Sequence, residues 1–358
     1  MKVLLMSERF APDFAGGGEV MTFETALCMR SRGCDLSVLT TGDPSDTQYE
    51  GIPVKRLPVS RYRFNLCASQ AIEAARGADL IHACSLHASR PAFVAARKLS
   101  IPIICTFAAL FGRSWRDMKP PVLGTLWEQL EKWILRRPFD GLHFISEASR
   151  TLALGLGADP ARCFVVPLGV RHDDFSPRWP KDRTVLFSGK LDVRKGIFEF
   201  LAAAARLPHV RFEVVGWGAS EKEVRTRATA NVTVHSFERG AKLREHFNRA
   251  AIFCMPSHVE TFGLALVEAQ AAGCAIISSV PLPFAGVSIP GKDVDALTGA
   301  IEELWSDPVR TEQAGRENLV LVRQYDWNKY GDQLFAHYGR NVNSYQPLRG
   351  AQPMDVRL

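Results

Sequence analysis

Residues 251–279 read AIFCMPSHVETFGLALVEAQAAGCAIISS. The apolar run 251–255 predicts a strand, 256–263 a tight loop, the residues after it a helix, and 275–279 a second strand. Gly263 stands where the loop turns into the helix, so the backbone there can come close to a ligand. The N–H groups of Phe262, Gly263 and Leu264 are then open first-turn donors suited to an anion. Two carboxylates frame them, Glu260 on the loop and Glu268 on the helix, with seven residues between. Glu268 falls on an otherwise apolar face, where a carboxylate is out of place unless it binds something. The arrangement suits a phosphate-bearing ligand with hydroxyl groups on both sides of the phosphate. The plainer alternative, a buried helix with one capped Glu, leaves both carboxylates and the glycine unexplained.

The pattern Pro-Ser-x-x-Glu-x-Phe-Gly-Leu-x-Leu-x-Glu-Ala-x-Ala-x-Gly, from Pro256 to Gly273, resembles the Glu-x7-Glu signature of retaining glycosyltransferases of family 4. The resemblance implies an α/β chain of GT-B fold, with two facing Rossmann-like domains built on parallel sheets. It assigns Glu268 to the ribose hydroxyls of a nucleotide-sugar donor. It assigns Glu260, with the amides of Phe262, Gly263 and Leu264, to the transferred sugar.

Working outward, strand-like and helix-like runs alternate along the whole chain, which argues for parallel sheets covered on both faces. Strands are expected at 2–7, 35–40, 79–85, 101–107, 141–146 and 163–168 in the first half. In the second half they are expected at 184–188, 211–215, 232–237, 252–255 and 275–279. A polar, proline-containing stretch separates the halves. The expected organisation is an acceptor-side domain over 1–170, a linker over 171–183 and a nucleotide-sugar domain over 184–327. A helix over 328–340, which in GT-B proteins crosses back to the first domain, and a disordered tail over 341–358 complete it.

Two further segments are read as phosphate handlers. Gly16, Gly17 and Gly18 follow the first strand and open a helical pattern, a nest for an anion, though not a dinucleotide fingerprint. The resemblance places them toward the donor phosphates and sugar; a flexible turn is the alternative. Ser188 to Gly196 reads SGKLDVRKG, similar to the family's Gly-Arg-Leu-Asp-x-x-Lys-Gly diphosphate clamp. Lys195 matches, and Lys190 stands where Arg is usual, keeping the charge without the planar fork. Lys190, Lys195 and Glu260 are therefore the expected catalytic set, because cations here stabilise charge on a departing diphosphate. Val214-Val215-Gly216-Trp217-Gly218 and the strand end at His235, Ser236 and Phe237 are placed near the nucleotide. Asp293-Val294-Asp295 matches Asp-x-Asp, but at the start of an amphipathic helix capping explains it better, and no metal or cofactor is expected.

With 358 residues, 46% hydrophobic and 23% charged, the chain has room for two ordinary globular cores. The net charge of +6 is mild and dispersed; it fits anionic small molecules or an anionic membrane surface and not nucleic acid. The eight cysteines form no Cys-x-x-Cys pair and read as buried thiols of a reducing compartment. No membrane span is seen, and Met1 leads directly into a strand, so a cytoplasmic chain without a signal peptide is expected. The basic, aromatic segment 113–137 holds Trp115, Trp127 and Trp133. Its helix is expected to pack on the first domain, with the loop 111–121 and the patch Arg61-Tyr62-Arg63-Phe64 as candidate lipid or acceptor contacts.

Three departures from the family stand out. Thr106-Phe107-Ala108-Ala109 replaces Thr-x-His-Gly, so a histidine contact to the donor sugar is missing at Ala108. Pro167-Leu168-Gly169-Val170 replaces Pro-Asn-Gly-Val, and the loop 280–286 is shortened. The expectation is a metal-independent retaining transferase moving a sugar from a nucleoside diphosphate sugar to a glycan or lipid-linked acceptor in cell-surface polysaccharide or glycolipid synthesis. Peripheral contact with the cytoplasmic membrane face goes with it. The rivals are a non-catalytic GT-B subunit supporting a partner transferase, and a sugar-nucleotide isomerase, for which Glu19 is the one acid–base group available at the glycine loop.

Overall fold

The computed structural model describes residues 1–13, 16–118 and 120–345. Phe14 and Ala15 of the glycine loop, Lys119, and the last thirteen residues of the expected tail lie outside them. The chain divides into two compact units, Met1–Pro167 with Tyr330 onward, and Leu168–Lys329.

The first unit carries β1 (Lys2–Met6), β2 (Asp35–Thr41), β3 (Gln48–Tyr49), β4 (Ile52–Leu57), β5 (Leu80–Ala83), β6 (Ile103–Phe107), β7 (Gly141–Phe144) and β8 (Cys163–Val165). They form one sheet in the order β3-β4-β2-β1-β5-β6-β7-β8, parallel except for the β3–β4 hairpin. Every residue of β5, β6 and β7 is buried. Burial on both faces is why these strands read as largely apolar runs, interrupted by the polar His82, Thr106 and His143. The strands β3 and β4 were not expected from sequence. Ile52-Pro53-Val54-Lys55 alternates in and out on the strand next to the sheet's edge, where only the two-residue β3 lies beyond it. The strand expected at 163–168 stops at Val165.

The second unit carries β9 (Asp182–Lys190), β10 (Phe212–Trp217), β11 (Val232–His235), β12 (Ala250–Met255), β13 (Ala275–Ser278) and β14 (Gly286–Ser288), in the order β11-β10-β9-β12-β13-β14, all parallel. The strand β14 opens on Gly286, the last residue of the shortened loop, and was missed. A Cβ on Gly286 would stand 1.9 Å from the Ile276 carbonyl oxygen, so only glycine lets this short strand close on β13. The stretch expected to be a linker corrects in two ways. Its last residues, Asp182 and Arg183, already belong to β9. The rest is fastened to the second unit: Lys181 donates to the Asn248 and Ala272 carbonyls, Ser176 N–H to Asn248 Oδ1, and Arg316 lies over the Trp179 ring.

The last helix also differs from expectation. It spans Trp327–Ser344, so residues 341–344, assigned to a disordered tail, are helical. Asp326 Oδ1 caps its start by accepting from the Asn328 and Lys329 N–H groups. From Tyr330 onward it belongs to the first unit. There the Tyr330 hydroxyl meets Thr25 Oγ1 at 2.7 Å, and Arg32 forks onto Asp332 at 3.0 and 2.7 Å.

Deeper in the same unit, Tyr338 ends a buried polar chain. The Val166 carbonyl only accepts, so His143 Nε2 carries a proton and donates to it at 2.9 Å. His143 Nδ1 then accepts from the Thr106 hydroxyl at 2.7 Å, Thr106 Oγ1 accepts from His82 Nε2 at 2.6 Å, and His82 Nδ1 accepts from the Tyr338 hydroxyl. One carbonyl thus dictates the tautomers of both buried histidines.

Candidate functional site

The two loops singled out in the second unit meet at the carboxyl ends of β9 and β12. After β9, Asp192 accepts from the Arg194 N–H and opens a short 3-10 turn, Val193–Lys195. Gly196 ends it in the left-handed region (φ 72°) and starts the helix Ile197–Arg206. A Cβ there would lie 2.1 Å from the Pro256 carbonyl oxygen. The glycine is what lets this turn lie against the first residue after β12. The contact is sewn by His258, whose N–H donates to the Arg194 carbonyl at 2.7 Å and whose Nε2 meets Glu199 Oε1 at 2.8 Å. From the other side the Ser279 hydroxyl donates to the Ser257 carbonyl at 2.6 Å. None of these supporting residues was legible in sequence, because each acts through a partner remote along the chain.

The result is an ion pair between Lys195 Nζ and Glu260 Oε2, both mostly shielded. The other oxygen of Glu260 accepts from the Thr261 N–H at 3.1 Å. Next along, Gly263 adopts φ 94° and begins the helix Leu264–Ala271, which no side chain among the described residues caps. Phe262 turns inward onto Tyr325, their rings 5.5 Å apart, and so fixes the loop from below. Glu268 is half-buried on this helix and, among the described residues, no hydrogen bond or ion pair to its carboxyl is found. Burial pushes that carboxyl up to about 7, with Arg244 pulling the other way.

Lys190 does not join the Lys195–Glu260 pair. It is exposed, its Nζ 5.6 Å from the centre of the Trp217 ring. Trp217 in turn meets Phe237, and Arg239 lies over Phe237. A strip of alternating cations and rings therefore runs along the carboxyl edge of β9, β10 and β11. Its rings offer flat apolar faces and its cations offer charge, which suits a base and its phosphates. Gly216 and Gly218 set the spacing. Cβ atoms on them would come within 2.1 Å of the Gly189 oxygen and 2.5 Å of the Leu191 oxygen. Asp293 caps the helix Val294–Ser306 through the Ala296 N–H at 2.9 Å, the role expected for it.

In the first unit, Gly16 precedes the helix Gly17–Ser31, and all three glycines are exposed. A Cβ on Gly18 would meet none of the described residues within 4 Å. Arg56, buried on β4, donates to the Ala11 carbonyl and fixes the approach to the loop. Glu8, missed in sequence, stands at the end of β1. Burial raises its carboxyl to about 7 against nearby Arg61 and Arg9.

The basic aromatic segment departs from expectation. Where a loop was expected, Gly112–Ser114 is a 3-10 turn and Trp115–Met118 a helical turn. Glu131 accepts from the Phe111 and Gly112 N–H groups, while Glu128 pairs with Arg116 and Lys132. Two of the segment's cations, Arg116 and Lys132, thus share one carboxylate. Trp127 stacks on Trp115 and meets His87, which meets Tyr62, so the two patches form one surface. Val122, Leu123, Leu126, Tyr62 and Leu66 are exposed on it. No described helix is long and apolar enough to cross a membrane.

Two family models account for most of the chain: a glycosyl transferase 4-like domain over residues 16–169 and glycosyl transferases group 1 over residues 171–318. The chain belongs to the group 1 glycosyltransferases. It is 25% identical to the D-inositol 3-phosphate glycosyltransferase of Mycolicibacterium paratuberculosis, over 94% of this chain and 88% of that protein. It is 26% identical to the protein of that name from Mycobacterium tuberculosis, over 94% and 81%. Among solved structures, sucrose-phosphate synthase from Thermosynechococcus elongatus superposes with a TM-score of 0.83 at 20% identity, covering 95% of this chain and 98% of that one. Anabaena HepE, solved with UDP and glucose, gives 0.79 at 17% identity, covering 95% and 99%. The fold is GT-B, with each unit a Rossmann-like α/β layer structure.

Proposed function

We propose that this group 1 glycosyltransferase moves a sugar from a nucleoside diphosphate sugar to a hydroxyl of a glycan or lipid-linked acceptor, with retention and without a metal at the reacting centre. The observation that carries the reading is the Lys195–Glu260 pair beside the uncapped helix start at Gly263. A cation, open amides and a carboxylate are there held together by two loops that Gly196 and His258 lock in contact. In this reading Lys195 and the amides of Phe262, Gly263 and Leu264 take the diphosphate, with Lys190 a more distant, exposed cation. Glu268 accepts from the ribose hydroxyls and Glu260 positions the sugar, while Gly16, Gly17 and Gly18 keep the role of an anion nest. The departing diphosphate itself accepts the acceptor's proton on the same face, so no glycosidase-type pair of carboxylates is needed. The exposed apolar face of Tyr62, Leu66, Val122 and Leu126 is assigned to lipid or acceptor, which would make the protein peripheral to a membrane.

HepE was solved with UDP-glucose, which makes UDP-sugars the first donors to test. Labelled transfer into a membrane extract, with product anomer read by NMR and parallel reactions in chelator, tests the reading. Product of inverted anomer would overturn retention, and activity lost in chelator and restored by Mg2+ or Mn2+ but not by Zn2+ would overturn metal independence at the reacting centre. Ala108 and the short loop before β14 favour a second reading, a non-catalytic subunit. Binding of nucleotide sugars with neither transfer nor hydrolysis of any would select it.

A further inference from the structure

We propose that Glu213, His235 and His246 form a divalent transition-metal site, with Zn2+ the ion their chemistry fits best. Glu213 is on β10 and His235 ends the edge strand β11. Val215 pairs in register with His235, and side chains two apart on a strand share a face. Glu213 and His235 therefore project from one side of the sheet. The helix Gly240–Arg249 brings His246 to them.

The donor atoms all lie within 4.8 Å of one another. His246 Nδ1 is 2.9 Å and His235 Nε2 is 3.6 Å from Glu213 Oε2. Ligand atoms held about 2.0–2.1 Å from a tetrahedral zinc stand roughly 3.3 Å apart, so these separations bracket the required one. A hydrogen-bonded cluster explains the group less well. Glu213 Oε2 serves His246, and His235 Nε2 is buried with no hydrogen-bond partner among the described residues. Its lone pair has a use if an ion sits between the three. Glu238 supplies the outer contact that zinc sites use: its Oε2 lies 3.1 Å from His246 Nε2. A proton on that nitrogen leaves Nδ1 free to ligate, and a carboxylate behind a ligating histidine raises its basicity. Two imidazoles and one carboxylate make three protein ligands with a fourth position open.

The ion would clip the edge strand β11, and the residues after it that carry Phe237, to the helix and to β10. Glu213 is four residues before Trp217, the end of β10, so the site lies back from the loops of Lys195 and Glu260. The inference does not depend on the donor assignment.

The test uses the full chain, stripped with chelator and titrated with Zn2+ by calorimetry and with Co2+ by visible absorption. One equivalent is expected to bind with micromolar or tighter affinity and to raise the melting midpoint. The Co2+ spectrum should show tetrahedral bands without thiolate charge transfer. His235→Gln and Glu213→Gln should each weaken binding by at least about 100-fold, and Glu238→Gln by about tenfold. His235→Gln removes no hydrogen bond seen here, so it should fold as the wild type does, checked by circular dichroism. Absence of saturable binding below about 100 μM, far weaker than any structural zinc, overturns the site. So does one-equivalent binding unchanged by both His235→Gln and Glu213→Gln.

Discussion

Lys195 and Glu260 hold each other, so each competes with whatever ligand the other takes. A diphosphate must draw Lys195 from a carboxylate that is itself supported by the Thr261 N–H. Glu260→Ala therefore releases the lysine. Affinity for a nucleoside diphosphate alone should hold or rise by up to about tenfold, while transfer falls by at least about a hundredfold. Lys195→Ala should lower both. Calorimetry and labelled transfer on the same preparations read the contrast, and an equal loss of binding and turnover in Glu260→Ala would refute it. Glu268 gives a second prediction. Its carboxyl is held at about 7 by burial, and hydroxyl groups of a ribose favour the charged form. Because the ligand prefers the deprotonated site, affinity should weaken as pH falls below 7, by about tenfold between pH 8 and pH 6. A diphosphate titrates too, so the control is Glu268→Gln, which keeps the ligand's own pH dependence and loses the excess. A wild type that tracks the variant at every pH would remove Glu268 from the ribose.

At the scale of elements, the loops are positioned by glycines whose need is geometric. Gly196→Ala would put a methyl group 2.1 Å from the Pro256 oxygen in a backbone conformation unfavourable to any side chain. It should part the two loops, destabilise the second unit, and cost nucleotide binding even in the folded fraction. Denaturation with and without UDP measures both; an Ala variant as stable as wild type would contradict the contact. These elements also show what the sequence made legible. The loop pair, Glu268 and the capping role of Asp293 could be read because their signals are local: a glycine at a strand end, a carboxylate on an apolar helix, an Asp before an amphipathic run. His258, Glu199 and Ser279 could not, since their partners lie 22 to 64 residues away and nothing in spacing betrays them. β4 and β14 escaped for a different reason. Next to the sheet's edge β4 shows alternation instead of an apolar run, and Gly286-Val287-Ser288 is too short to show either. Lys190 was read with Lys195 from the motif, whereas its strand register delivers it to Trp217.

At the scale of the molecule, the first unit stakes its stability on uncharged histidines. Tyr338, Thr106, His82 and His143 form a chain in which every proton is assigned. Tyr338→Phe would leave His82 Nδ1 buried and unpaired, at a cost of about 1–3 kcal/mol. A lowered melting midpoint is expected, and a wild-type midpoint would mean that the chain contributes nothing net. Acid probes the same design. Burial lowers His82 to about 3, and His87, His143 and His337 to about 4. Folded values below the unfolded 6.5 mean that their contribution is intact above pH 6.5 and is lost as pH falls toward 4 and 3. Glu8 and Glu131 act in the opposite sense. Their carboxyls, raised to about 7 by burial, take up protons in the folded unit first, which adds stability between pH 7 and 4.5. Four histidines against two carboxyls leave a net loss on acidification, and once the carboxyls are saturated in both states the loss steepens. The melting midpoint of the first unit, followed from pH 8 to pH 4, should therefore decline gently from about 6.5 and faster below about 4.5. A midpoint that is flat across that range would show that the buried histidines charge within the fold.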